Sequence, residues 1–292
     1  MAETVTDAAP SGKPKKKRRW RRIMAALVVL WALFIGPWPV AWLEPLEGNA
    51  THAENLRRLA ALANRPKSTA GPLKAGFAAV EITDIAEGAP LAGYGARAFR
   101  GNSGIDDPIY VRAIVLEGEG GKAAIVSPDL LLVNSRLRDE IVKRLKVSDP
   151  SWTADRILFG ATHTHSGPGG YSGNVGEILG IGFARKKIID GLAERAADAV
   201  IDAAARMTPV RVGAAAIEVD AIGNRTADGG PVNRWLDLVR FEPKLTGERS
   251  CFWMSYSAHA TARPSEDGRV SADYPGFALK ATTKTGDGLF LA

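Results

Sequence analysis

Three of the chain's four histidines fall in two short segments whose composition suits a metal site. His163 and His165 lie in ILFGATHTHSGPGG, a buried-strand pattern that breaks into a glycine-rich turn. Strand side chains alternate with a period of two, so this spacing predicts that both imidazoles project from one face where the strand emerges. Ligand sites in open α/β sheets collect at that end. Gly167, Pro168, Gly169 and Gly170 then let backbone approach a bound ion or substrate closely. Neutral imidazole is a preferred zinc ligand at about 2.0 Å. A lone His-x-His also arises by chance in core strands, and on the tripeptide alone the two readings balance. The glycine-rich turn and a further histidine, His259 in SAHATARPSEDGRVSADYPG, tip the balance toward a site. The single cysteine, Cys251, excludes a disulfide framework and a cysteine-rich zinc module, so a metal must sit on His, carboxylate or Tyr oxygen.

Two other His-x-His metal patterns fail on these residues. A metallo-β-lactamase site needs His-x-His-x-Asp-His, whereas His165 is followed by Ser166, Gly167 and Pro168. An amidohydrolase barrel needs two more histidines downstream, where this chain has His259. Asp129, at a predicted strand end, and Asp273 and Tyr274, near His259, could each orient an imidazole, and could equally cap turns. His52 stands apart in a polar segment and reads as a surface residue.

The elements that must position these groups follow from periodicity. LKAGFAAVEIT, YVRAIVLEGE, KAAIVSPDLLLV, ILFGAT, VRVGAAAIEV and WLDLVRFE read as strands. Residues 136–145 read as a helix, and so do residues 184–207, where Ile188, Leu192, Ala196, Val200 and Ala203 recur at helical spacing before Pro209. Strands alternating with helices predict an α/β fold with a layered mixed β-sheet core and flanking helices.

The net charge of +6 suggests nucleic acid until the charges are located. The excess lies wholly in residues 1–22, with its KPKKKRRWRR run; the rest balances at 30 basic and 30 acidic residues. A neutral body offers no field to a phosphate backbone, which argues against a nucleic-acid partner. Residues 23–43 carry no charge and are long enough as a helix to cross a hydrocarbon core of about 30 Å. Basic residues beside such a span fix its orientation. The expected organisation is a basic cytoplasmic tail (1–22), a transmembrane signal-anchor helix (23–43), a connector with a short amphipathic helix at about 52–63 (44–72), and an exported catalytic part (73–292). The competing readings are a cleaved signal peptide and a nuclear-targeting run; the length of the apolar stretch and the lack of an A-x-A site favour the anchor.

Taken in order along the chain, these blocks resemble the N-terminal catalytic domain of the neutral/alkaline non-lysosomal ceramidases. ATHTHSGPGG carries the resemblance most specifically. GNRT at 223–226 and SAHAT with SADYPGFA support it, and LAGYGARA, DDPIYVRAIVL and VSPDLL are weaker matches. The resemblance implies a zinc-dependent amidase that splits ceramide, or a similar N-acyl lipid, into sphingosine and fatty acid. It implies that His163 and His259 are zinc ligands, that His165 assists proton transfer or binds the oxyanion, and that Arg225 orients the reacting group. Without it, Arg225 reads as a surface ion-pair residue. Members of the family complete the metal site with a glutamate and a tyrosine further downstream, which this sequence does not reach. The segment is therefore expected to be truncated, to bind zinc weakly and to hydrolyse little. The alternatives are an amidase or esterase acting on another amphiphile, and a catalytically inactive membrane-anchored homologue.

Overall fold

The computed structural model describes residues 16–34, 48, 50–63, 71–245, 247, 249–282 and 286–291, and the chain divides into two compact units at residues 67/68. In the first unit, α1 (Lys16–Phe34) and α2 (Ala50–Ala63) are helices. The α2 bounds agree with the predicted amphipathic helix. Among the described residues no helix is long and apolar enough to cross a membrane. α1 begins within the basic run, and the part of its uncharged stretch that the structure describes is 23–34. Residues 35–43 of the expected span lie outside the described residues.

The second unit runs β1 (Lys74–Glu81), α3 (Thr83–Ala86), β2 (Tyr110–Gly118), β3 (Gly121–Pro128), α4 (Ser135–Ser148), β4 (Ile157–Phe159), α5 (Ile178–Ile181), α6 (Lys186–Ala205), β5 (Thr208–Glu218), β6 (Trp235–Pro243), β7 (Cys251–Tyr256), α7 (Asp273–Thr282) and β8 (Asp287–Leu291). The sheet order is β4-β3-β2-β1-β5-β6-β7-β8. Pairing is antiparallel except for β3/β4 and β7/β8, which makes the sheet mixed, as predicted.

β1 meets β5 only through Lys74 and Ala75 against Pro209 and Thr208, and at this corner the sheet folds over itself. Alternation along each strand then decides which layer receives each side chain. Ala75, Ile114 and Ile125 of the first half meet Val210, Phe241, Cys251 and Leu289 of the second in a core between the two sheets. Their sequence neighbours face outward. Ala78, Val111, Ala113, Val115, Ala124 and Val126 pack under α4 and α6, while Phe252, Met254, Tyr256 and Phe290 pack with Leu279 of α7. The Ser127 hydroxyl donates to the Phe290 carbonyl and pins β8 onto β3.

α6 can lie close because its buried face is mostly alanine, and because Gly76 beneath it has no side chain. A Cβ there would sit 2.0 Å from the Ala203 carbonyl oxygen. α4 starts where Asn134 accepts a hydrogen bond from the Leu137 amide at 2.9 Å, an ordinary N-cap.

Candidate metal centre

β4 brings His163 and His165 to the edge of the β1–β4 half-sheet. Ladder pairing with β3 stops at Phe159, although the Gly160 and Thr162 amides still donate to the Val126 and Pro128 carbonyls. The expected strand alternation is therefore not what sets the two rings. His163 takes φ 57°, a left-handed conformation uncommon outside glycine, so the chain turns between the two imidazoles. Their ring centroids lie 5.1 Å apart at an interplanar angle of 79°.

His259 arrives from the other half-sheet, three residues beyond β7. Its ring centroid is 4.7 Å from that of His163 and 4.6 Å from that of His165. One ligand atom from each of the three histidines lies within 4.8 Å of the others. The two sequence blocks are tied by backbone: the His165 amide donates to the Ala260 carbonyl, Ser271 donates to Ser166, and the Thr164 hydroxyl donates to the Ser271 carbonyl.

The protonation pattern follows from the neighbours. His163 Nδ1 lies 2.7 Å from the Leu131 carbonyl oxygen, which can only accept. That nitrogen therefore carries the proton and Nε2 presents a lone pair. His165 and His259 approach Nε2 to Nε2 at 2.8 Å. Burial, then the neighbouring His259 and His163, hold the His165 imidazole down to about 4, so it is neutral near pH 7. The pKa of His259 is also lowered, chiefly by burial and then by His163 and Arg225.

Three imidazoles with convergent ring nitrogens suit a divalent transition metal such as zinc. His165 meets the cluster through Nε2, and its Nδ1, against Gly93, is buried without a hydrogen-bond partner. His259 is exposed, so the cluster can be reached from solvent.

The remaining candidates separate clearly. Arg225 sits on the loop between β5 and β6, exposed, with its charge felt by both His165 and His259. Asp129 touches no imidazole: it accepts from the Tyr110 amide and the Arg112 guanidinium, each at 2.8 Å. Asp273, at φ 56°, accepts from the amides of Ala262, Arg263 and Tyr274 and shapes the loop after His259. The Tyr274 hydroxyl donates to the Ala258 carbonyl at 2.7 Å. His52 belongs to α2 in the other unit.

Sequence reading passed over Tyr94 and Arg97. The Tyr94 ring packs edge-on against His165 at 4.9 Å, and the buried Arg97 donates to the carbonyls of His165 and Asp267. The available signal was the glycine pair around Tyr94. Gly93 has φ 99°, and a Cβ there would lie 2.4 Å from His165 Nδ1, so only glycine lets this segment close over the ring.

Comparison with known proteins fits this geometry. Residues 73–285 match the family described as neutral/alkaline non-lysosomal ceramidase, N-terminal. The chain belongs to that family. Among curated relatives, a neutral ceramidase of Pseudomonas aeruginosa is 28% identical over 229 residues, covering 71% of this chain and 33% of the relative. Neutral ceramidase 2 of Arabidopsis thaliana is 26% identical over 229 residues, covering 70% and 29%. The solved neutral ceramidase from Pseudomonas aeruginosa superposes with a TM-score of 0.63 at 20% identity, covering 76% of this chain and 38% of that one. A ceramidase complexed with C2 gives a TM-score of 0.66 at 20% identity, covering 76% and 37%. These two structures support the fold. This ceramidase-family chain spans about a third of the length of such relatives.

Proposed function

We propose that this chain supplies the N-terminal part of a zinc-dependent hydrolase that cleaves the amide of ceramide or a similar N-acyl amphiphile into a sphingoid amine and a fatty acid. The observation that carries the proposal is the convergence of His163, His165 and His259, drawn from two sequence blocks, at one solvent-accessible point. A divalent cation bound there supplies Lewis acidity toward an amide carbonyl and toward water.

The chain's own residues divide the remaining work. His163 and His259 hold the cation. His163 is fixed in tautomer by the Leu131 carbonyl, and the His259 loop is fixed by Asp273. His165, neutral near pH 7, takes a proton from the attacking water and returns it to the departing amine as the carbon–nitrogen bond breaks. Arg225 places a positive charge over the side on which the carbonyl oxygen becomes negative. Tyr94 and Arg97 keep the His165 ring and backbone in place.

The amphiphilic substrate fits an N-terminal segment that attaches the chain to a bilayer. The basic run and the uncharged residues 23–43 support that attachment, with the tail cytoplasmic and the catalytic part exported. Attachment holds the site at the surface that carries the substrate, which raises its effective concentration.

The test uses the natural full-length polypeptide. Bound zinc is measured by mass spectrometry, and release of fatty acid is compared for ceramide, other N-acyl amides and esters. Wild type is expected to carry about one zinc and to prefer ceramide. His163→Ala and His259→Ala should lose the metal, and His165→Ala should keep the metal and lose turnover. Metal content unchanged in His163→Ala, or preference for an ester, would overturn the reading.

A further inference from the structure

We infer that a surface beside the histidines docks onto a lipid bilayer bearing anionic headgroups. The inference deepens the amphiphile-hydrolase reading and rests on it for its purpose, not for its geometry. Val175, Leu179, Phe183 and Phe99 are 82%, 70%, 63% and 51% exposed. Isolated apolar side chains are ordinary on a soluble surface, whereas a group of them marks a contact site. Here Phe99 and Phe183 pack edge to face with ring centroids 5.8 Å apart, Leu179 lies in α5, and Val175 lies in the turn before it, its carbonyl accepting from the Ile178 amide.

The frame under these tips is tightly fitted. A Cβ on Gly182 would lie 2.3 Å from the Ala98 carbonyl oxygen, so the two loops press together backbone to backbone. The same frame reaches the metal centre. The Gly93 amide donates to the Gly180 carbonyl at 2.8 Å, Gly170 donates to Ile181 at 2.6 Å, and Gly93 abuts the His165 ring. A body seated on these apolar tips therefore has the imidazole cluster at its rim.

Charge decides which apolar partner fits. Arg100 follows Phe99, and Arg185 and Lys187 follow closely on Phe183, all three exposed, while Lys186 between them is ion-paired with Asp190. The nearest carboxylate on α5's approach, Glu177, is held by hydrogen bonds from Asn134, Gly173 and Asn174. Apolar tips collared by basic residues match a phospholipid surface, where hydrocarbon lies beneath a layer of phosphate.

The test uses depth rather than bulk binding, because α1 can itself bind vesicles. Cys251 is buried and its thiol is pushed up to about 12 by burial, so an introduced cysteine is labelled selectively. A polarity-sensitive fluorophore on V175C, mixed with phosphatidylcholine vesicles containing phosphatidylglycerol, is expected to shift to the blue and to be quenched by doxyl-labelled lipid. The same label on V147C should stay in water. Val147 is 87% exposed near the end of α4, beside the Lys122–Asp149 pair and at the opposite end of β3 from the histidines. Adding L179S and F183S should raise the lipid concentration for half the shift by at least about tenfold. Adding R100Q and R185Q should weaken insertion on the anionic vesicles and leave it unchanged on pure phosphatidylcholine.

A V175C label that stays in water while the protein sediments with vesicles would overturn the inference. So would a label already shielded without vesicles, which would mean that protein covers the patch, or insertion unaffected by L179S and F183S. Insertion without amide hydrolysis would sustain the inference and sink the hydrolase reading. Hydrolysis of a soluble short-chain amide without insertion would do the reverse.

Discussion

The two halves of the folded sheet are made of similar strands and are covered very differently. β2 buries Val111 to Val115 between the helical layer and the facing sheet, while β5, past the buried Val210, leaves every residue from Arg211 to Glu218 exposed. The difference teaches where the candidate site is rigid. His163 and His165 hang from the covered half, and backbone bonds to Ala260 and Ser271 bring the His259 block to them. Arg225 hangs from a loop of the bare half, secured mainly by the Asn224 side chain, which accepts from the Thr226 and Ala227 amides. The imidazoles are thus set by the fold. The arginine is set by its loop.

Charge removal should break this contrast most visibly. Asp129→Ala leaves the Arg112 guanidinium buried in the first half without its partner, and is expected to cost about 3–5 kcal/mol in urea unfolding. Asp220→Ala removes the exposed partner of Arg234 in the second half and should cost at most about 1 kcal/mol. Equal losses would show that the two halves share one level of burial in solution.

Apolar truncation sharpens the same comparison at somewhat smaller scale. Ile114→Ala, in the core between the sheets, is expected to lose about 2–5 kcal/mol, and Ile217→Ala on β5 should stay within about 0.5 kcal/mol of wild type. A large loss at Ile217 would mean that β5 is covered in the natural protein. The site itself offers a third contrast: Arg225→Ala should leave the melting temperature unchanged and lower amide turnover by about a hundredfold. A melting temperature that falls with it would move Arg225 from the chemistry to the fold. The smallest effect concerns Cys251. With its pKa raised to about 12, the native thiol stays protonated at pH 8 and should react slowly with a disulfide reagent, then quickly once urea unfolds the chain. Fast reaction in the native state would show that the second half opens.

Much of the second unit was legible because its elements are strongly periodic. The helix expected at 184–207 is α6 at Lys186–Ala205, and the six expected strands all appear within a few residues of their predicted ends. For the apolar residues 23–43, composition gives a length of uncharged chain but not where a helix starts; α1 starts among the arginines and lysines, and residues 35–43 lie outside the described residues. The fold of the sheet at the β1/β5 corner was not legible, because period-two alternation says which side chains share a face and not what lies opposite. Tyr94 and Arg97 were missed for a related reason. A tyrosine flanked by glycines and an arginine two residues on carry no metal-site pattern, and their role depends on a close approach to His165 across about seventy residues.

The sequence by itself determined the chemistry on offer: imidazoles, glycine-rich turns and no thiol framework, arranged in blocks ordered like those of a ceramidase. It also determined the strands and helices, whose periodic patterns are local properties of the chain. Only the tertiary structure decided that His259 meets the other two rings, since that depends on two half-sheets folding face to face and on loops bonded across nearly a hundred residues. It decided, too, that Asp129 and Asp273 serve backbone and arginine rather than imidazole. Carboxylates pair with whatever unsatisfied donors packing brings to them, and spacing along a chain does not say which donors those will be.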